Sequence, residues 1–151
     1  MLDSNRIVIR PACLEDAESI AILCEQLGYS ATRSQIEQRL NTLNSNEHHI
    51  IYVATLPTSE VISWVHAHRC DLIIMPSQAI VLGLVVDENY RRCGIGQQLI
   101  KYIENWAIAK KCDAVLIRSN IIRKEAHIFY QKIGYTSTKQ SLVFSKSLHE
   151  G

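Results

Sequence analysis

The chain has no excess of charge of either sign. Sixteen Lys and Arg face fifteen Asp and Glu, for a formal net charge of +1. A dedicated nucleic-acid binder, which carries a large basic excess, is excluded on that ground. No apolar run approaches the ~18 residues of a membrane span, so no membrane partner is expected. The opening Met1-Leu2-Asp3-Ser4-Asn5-Arg6 lacks the basic-then-apolar layout of an export signal. Cys13, Cys24, Cys70, Cys93 and Cys112 form no CxxC pair, so a cysteine metal site has no support. Their odd number and wide spacing read as free thiols, and a cytoplasmic protein is expected. No repeat, low-complexity stretch or linker interrupts the chain, which is read as a single domain over 1–151.

What is present is ordinary globular material, 47% hydrophobic and 21% charged. Ile7 to Arg10 reads as a short strand stopped by Pro11. Ala17, Ile20, Ala21, Cys24 and Leu27 recur at helical spacing, and Gly28 closes that helix. Thr32-Arg33-Ser34-Gln35 matches a capping box ahead of Ile36, Leu40 and Leu43. The period then changes. Ile50–Ala54 and Val61–His68 read as strands around a turn at Pro57–Glu60. Ala79–Val86 is almost wholly apolar, as a central strand would be, and its Gly83 marks a bulge or a close approach. Leu99, Ile100, Ile103, Trp106 and Ala107 mark an amphipathic helix. A strand at Ala114–Ile117, a helix from Lys124 to Ile133 and a last strand through Leu142, Phe144 and Leu148 complete the order. The class is α+β, a mixed and mainly antiparallel sheet with helices packed on it.

The most informative segment joins the apolar strand to the long helix: Arg91-Arg92-Cys93-Gly94-Ile95-Gly96-Gln97. Glycines let a backbone approach a ligand, and free N–H groups at a helix start favour an anion. The string is not GxxxxGK[ST], and Leu99 stands where a dinucleotide fingerprint needs its third glycine. By itself the turn fits a pyrophosphate cradle or a solvated turn equally well.

Arg91-x-x-Gly94-x-Gly96 resembles the acetyl-CoA motif of the GNAT superfamily of N-acetyltransferases, Q/R-x-x-G-x-G/A. Ala126-His127-Ile128-Phe129-Tyr130-Gln131-Lys132-Ile133-Gly134-Tyr135 is similar to a second family block, and Ile9-Arg10-Pro11-Ala12 with Asp16 to its usual start. The resemblance spans essentially the whole chain. It implies a V-splayed sheet that admits acetyl-CoA where the strand Ala79–Val86 parts from the strand that begins at Ala114. The pantetheine arm would pair with the backbone of Leu84, Val85 and Val86. The pyrophosphate would rest on Arg92, Cys93, Gly94, Ile95, Gly96 and Gln97, with Arg91 beside it. Many members carry Asn three residues before the motif alanine, where this chain has Arg123. Ser119, Asn120 and Arg123 are therefore the cofactor contacts to weigh in that segment. A homodimer is a further expectation of the resemblance.

The implied reaction moves acetyl from a thioester directly to a primary amine. Tyr130, by its place in the motif, is the acid that protonates the departing thiolate; a packed aromatic is the alternative. The base is open. His66 and His68 lie two apart on one strand and share a face, and either could serve, as could His127 or a water chain. No third and fourth ligand accompany them, so no metal is expected. Cys93 at a helix start could be mistaken for a covalent acetyl carrier, but the motif is indifferent to that position's side chain. The acceptor is expected near Glu25 and Tyr29 at the first helix–helix junction and near Trp64. The favoured function is acetylation of a small, cationic amine. A peptide N-terminal or lysine acetyltransferase and a non-catalytic acyl-CoA sensor are the alternatives.

The near-neutral total hides two opposed halves. Residues 1–89 hold five Arg, no Lys and eleven Asp and Glu; residues 90–151 hold eleven Lys and Arg and four Asp and Glu. The basic half contains the positions matched to the polyanionic cofactor, and the acidic half those assigned to the amine.

Overall fold

The structure, a computed structural model, describes residues 6–118 and 123–149. The chain divides into two compact units, Met1–Arg118 and Ser119–Gly151.

The first unit is built on a five-stranded sheet in the order β1 (Val8–Pro11), β2 (His49–Thr55), β3 (Val61–Cys70), β4 (Gln78–Val86) and β5 (Ala114–Ile117). Neighbours run antiparallel except β4 and β5, which are parallel. β1 ends on Pro11 and pairs only with β2. An edge strand tolerates that residue because one side of it needs no ladder donor. The apolar β4 lies inside the sheet, as its composition requires.

Helices cover both faces. α1 (Ala17–Gln26) follows a single 3₁₀ turn at Leu14–Asp16. α2 (Arg33–Asn44) opens on the capping box: Gln35 N–H donates to Thr32 Oγ1 at 3.1 Å and Thr32 N–H to Gln35 Oε1 at 3.0 Å. Ile20, Ala21, Ile36 and Leu40 bury against Ile51 and Val53, with Trp64 packed on the cluster. α3 (Ile95–Ala109) lies on the other face, where Tyr102 meets Tyr52 edge-on at 5.4 Å. It buries Leu99, Ile100, Ile103 and Ala107. The β1–α1 junction is locked by charge. Arg10 grips the buried Asp16 with two bonds of 2.8 Å, and Cys13 N–H adds a third at 2.9 Å. Burial alone would push the Asp16 carboxyl up; the bonds from Arg10 and Cys13 outweigh it and hold the group below its ordinary range.

The second unit carries α4 (Lys124–Lys132). The helix stops at Gly134, whose φ of +100° suits glycine, and Tyr135 N–H returns to the Tyr130 carbonyl at 2.9 Å. The strand expected through Leu142, Phe144 and Leu148 does not form: the described residues 135–149 hold no strand, and these three side chains are 83–89% exposed. Alternation assigns a face to a strand but supplies no partner for its backbone, and an unpaired segment keeps its hydrogen bonds to water.

Candidate active site

The site grows out of an irregularity in β4. Opposite β3, His66 pairs with Gly83 and Ala67 with Val81, so Leu82 is an extra residue bulged out of the ladder. On its other side β4 pairs with β5 only from Gln78–Ala114 to Val81–Ile117. β5 ends at Ile117, so Leu84, Val85 and Val86 have no partner on that side among the described residues. Two carbonyls of that stretch are already held: Val85 accepts from the buried Ser63 hydroxyl at 2.7 Å and Val86 from Arg91 Nε at 3.1 Å. These bonds tie the free end of β4 to β3 and to the loop that follows.

That loop turns at Arg92 (φ +63°) and Gly94 (φ +80°) and enters α3 directly. Gly94 is the N-cap and has no side chain to offer. The first intrahelical acceptance is Gln98 N–H to the Gly94 carbonyl. The N–H groups of Ile95, Gly96 and Gln97 precede it, as the orphan donors of a helix start. Gly94 faces open space, since a Cβ there would meet nothing within 4 Å. An uncapped helix start, an open glycine and the exposed Arg91 and Arg92 fit a diphosphate. The Cys93 thiol turns back to the Arg91 carbonyl at 3.6 Å.

The face under α1 and α2 carries the acceptor-side candidates. Trp64 lies opposite Val85 and packs against the core cluster, with its Nε1 buried and unbonded among the described residues. His66, one pair further along this face, sits opposite Gly83 at the bulge. Its Nε2 is 3.0 Å from Nδ1 of His49, and the His49 ring stacks on His68 at 5.2 Å. Burial, then the neighbouring imidazoles, pushes His66 down to about 4. His68 is lowered too, by burial and by Arg118, but lies opposite Ile80, where β4 and β5 are still paired. Among the described residues no group of three His, Cys, Asp or Glu is arranged to hold a metal ion.

A shallow, open and mainly apolar depression of about 450 Å³ lies beside His66, with Gln38, Arg39, Thr42 and Leu43 of α2 as its other lining. The sequence reading missed these α2 residues and His49. No local pattern marks them, because their importance comes from packing α2 over β3. Glu25 and Tyr29 are exposed at the end of α1, and Tyr29 is 72% accessible. The same helix end touches the segment that follows β4, where Gln26 Oε1 accepts from Glu88 N–H at 3.0 Å. In the second unit, burial raises the Tyr130 phenol while Arg123 draws it back. Arg123 is the N-cap of α4. Ser119 and Asn120 lie outside the described residues.

Known proteins resemble this chain in sequence and in fold. Residues 46–137 match the model of the acetyltransferase (GNAT) domain. The aminoalkylphosphonate N-acetyltransferase of Salmonella typhimurium is 32% identical over 93% of this chain and 90% of its own length. An aminoglycoside antibiotic 6'-N-acetyltransferase from Acinetobacter baumannii shares the fold with a TM-score of 0.83, at 20% identity over 95% of this chain and 99% of that one. Glucosamine-6-phosphate N-acetyltransferase from Arabidopsis thaliana does so with a TM-score of 0.76, at 21% identity over 95% and 99%. A glycine-led helix start without a side-chain cap, a domain match over residues 46–137 and a relative 32% identical over 93% of this chain have one reading: this protein belongs to the GNAT family and is an acetyl-CoA-dependent acyltransferase.

Proposed function

We propose that the protein acetylates the primary amine of a small molecule, and that its acceptors are aminoalkyl compounds with an acidic group at the other end. The observation that carries this reading is the open depression beside His66, which lies opposite Gly83 just beyond the last β4–β5 pair. The Salmonella relative's name supports the substrate class. The amine end is cationic, as the acidic N-terminal half suggests. The cavity lining holds no carboxylate, however, and includes Arg39. Three of the eleven acidic residues of that half are paired with arginines: Asp16 with Arg10, Glu37 with Arg33 and Asp71 with Arg69. A sequence half is not a surface.

Acetyl-CoA supplies the activated thioester. Its diphosphate is assigned to the N–H groups from Arg92 to Gln97 and to Arg91, and its pantetheine arm to Leu84, Val85 and Val86. Arg123 is the candidate contact from the second unit. The acceptor ammonium, with pKa near the ~10.4 of lysine, must lose a proton before it attacks. His66 is assigned as the base in preference to His68, because it lies at the bulge. It is neutral near pH 7, and its contact with His49 offers the proton an onward path. The amine nitrogen bonds to the thioester carbon, and the carbonyl oxygen becomes an oxyanion held by a backbone N–H of β4. The C–S bond then breaks. Tyr130 protonates the thiolate and regains a proton from the acetylated nitrogen, so CoA leaves as a thiol and one proton in all is released. Trp64, Glu25 and Tyr29 are assigned to the acceptor side.

A thiol-release assay with acetyl-CoA and a panel of short amines, peptides and buffer alone tests this. Turnover of aminoalkyl acids above peptides supports it; peptide turnover alone overturns it in favour of a protein acetyltransferase. Tyr130→Phe is expected to cut kcat and to change the alkaline limb of its pH profile. An unchanged profile would remove Tyr130 from the acid role.

A further inference from the structure

We infer that His49 is a positioning residue for the transfer: its Nδ1 accepts a hydrogen bond from Nε2–H of His66 and so leaves His66 Nδ1 as the nitrogen that takes the proton of the amine. The inference rests on the acetyltransferase reading above, in which His66 is the base. Nδ1 of His49 and Nε2 of His66 are 3.0 Å apart, so one of the two carries the proton they share. The two assignments are not equivalent. If His49 Nδ1–H donated, neutral His66 would hold its own proton on Nδ1 and spend its lone pair on His49. No lone pair would then remain for the amine's proton. If His66 Nε2–H donates, Nδ1 keeps its lone pair, and only this form of the ring can act as a base. His66 Nδ1 is not among the buried side-chain atoms without a hydrogen bond, which in the described residues are His48 Nδ1 and Trp64 Nε1. It is therefore open, on the ring that lines the depression.

Strand register builds the pair. His49 lies directly opposite His68, and His66 opposite Ile51, so His49 reaches His66 along the diagonal of the β2–β3 ladder. The His68 ring stacks on His49 at 5.2 Å and 21°, which limits how far the imidazole can turn. No carboxylate lies within ion-pair distance of His66 among the described residues, so a neutral imidazole takes the place an acidic partner would hold. Burial and two neighbouring imidazoles leave His66 a weak base. An acceptor on Nε2–H offsets part of this, because that bond strengthens once the ring is an imidazolium. The amine's proton goes to Nδ1 of His66, the Nε2 proton stays in the bond to His49, and no other bond changes in that step.

Two experiments test the pairing. In the first, the intact protein is isotopically labelled at its histidine ring nitrogens and its resonances are read near neutral pH, where they report the tautomer of each neutral imidazole. His66 in the Nε2–H form, with a scalar coupling across the bond to His49 Nδ1, supports the proposal. His66 in the Nδ1–H form, or no coupling between the rings, overturns it. This measurement needs no variant. In the second, His49→Asn and His49→Phe are compared in the thiol-release assay. Asn places an oxygen close to where Nδ1 stood, whereas Phe keeps a ring and has no acceptor. General-base catalysis is worth about 10²–10⁴-fold, so His49→Phe is expected to lower kcat roughly tenfold or more with KM within about twofold. His49→Asn is expected to stay within about threefold of the wild type, because it keeps the acceptor. Equal losses in the two variants, or a larger loss in Asn than in Phe, would make the role of His49 one of packing and overturn the proposal. Absence of turnover on every amine would defeat the proposed function, while the coupling between the two rings would still decide the pairing.

Discussion

The indole of Trp64 lies across Gly83: a Cβ at position 83 would stand 2.8 Å from both Cη2 and Cζ3 of the ring. The glycine in an otherwise apolar strand is therefore a space requirement, set by an aromatic ring on the neighbouring strand. Trp64 and His66 follow each other on this face, so displacing the indole disturbs the floor of the acceptor side. Gly83→Ala is expected to lower stability by about 1–3 kcal/mol through overpacking, and to reduce activity as well. Denaturant midpoints and near-ultraviolet dichroism check it. Trp64→Phe in the same chain should recover part of the loss, because it removes the atoms that clash. Simple additivity of the two costs would contradict the contact.

The Arg10–Asp16 pair makes a second prediction. Asp16 is 4% exposed and takes two bonds from a guanidinium that is itself partly open to solvent. Asp16→Asn should cost about 2–3 kcal/mol, below the ~3–5 kcal/mol of removing one partner from a fully buried pair. Because the carboxyl is held below its unfolded value of ~3.9, its contribution is complete above that value. It is lost as pH falls through the lower folded value. Acid unfolding of the wild type should therefore steepen below about pH 4, and Asp16→Asn should flatten that limb.

His66 acts with the same sign as Asp16, in a higher pH window. Its folded value of about 4 lies below the ordinary histidine value of 6.5, so the unfolded chain binds more protons between the two. Stability should decline as pH falls from about 6.5 toward 4, and this part of the slope should vanish below 4. His49 and His68 are lowered as well and add to the same slope. His66→Gln should reduce the slope of unfolding free energy against pH across that window. An unchanged slope would mean the ring is not held neutral by its surroundings.

Gly94 connects backbone conformation to cofactor affinity. At φ +80° with open space around it, Gly94→Ala would pay in backbone strain alone, of order 1–2 kcal/mol. Acetyl-CoA affinity should fall further, since the strain falls on the loop that aims the first N–H groups of α3. Binding of acetyl-CoA to the wild type should also weaken as salt rises, because Arg91 and Arg92 are exposed and screened. Salt-independent binding would remove the charge contribution assigned to them.

Local chemistry was readable from the chain itself. Thr32 and Gln35 announce the start of α2, Gly28 and Gly134 close helices at positive φ, and the spacing of Leu99, Ile100, Ile103 and Ala107 marks the buried side of α3. Each depends on residues within a turn or two of one another, which is the range over which helical geometry operates. The glycine motif after β4 was legible for the same reason, since its work is done by consecutive N–H groups. Even the unusual position of Gly83 was visible, though its partner was not.

Long-range packing decided the rest. That Trp64 fills the space over Gly83, that His49 reaches His66 from a strand 17 residues away, and that Arg39 of α2 lines the same cavity all depend on strand register and helix placement. One bulged residue, Leu82, sets the register that puts His66 opposite Gly83, two residues beyond the last β4–β5 pair. The exposed Leu142 and Phe144 make the converse case: alternation was present and a strand was not, because a strand exists only when another backbone completes its hydrogen bonds. The even balance of charge kept the chain from nucleic acid as a first reading. Only the fold showed that the depression beside His66 is lined by Arg39 and no carboxylate, because which charges share a face is decided by packing and not by composition.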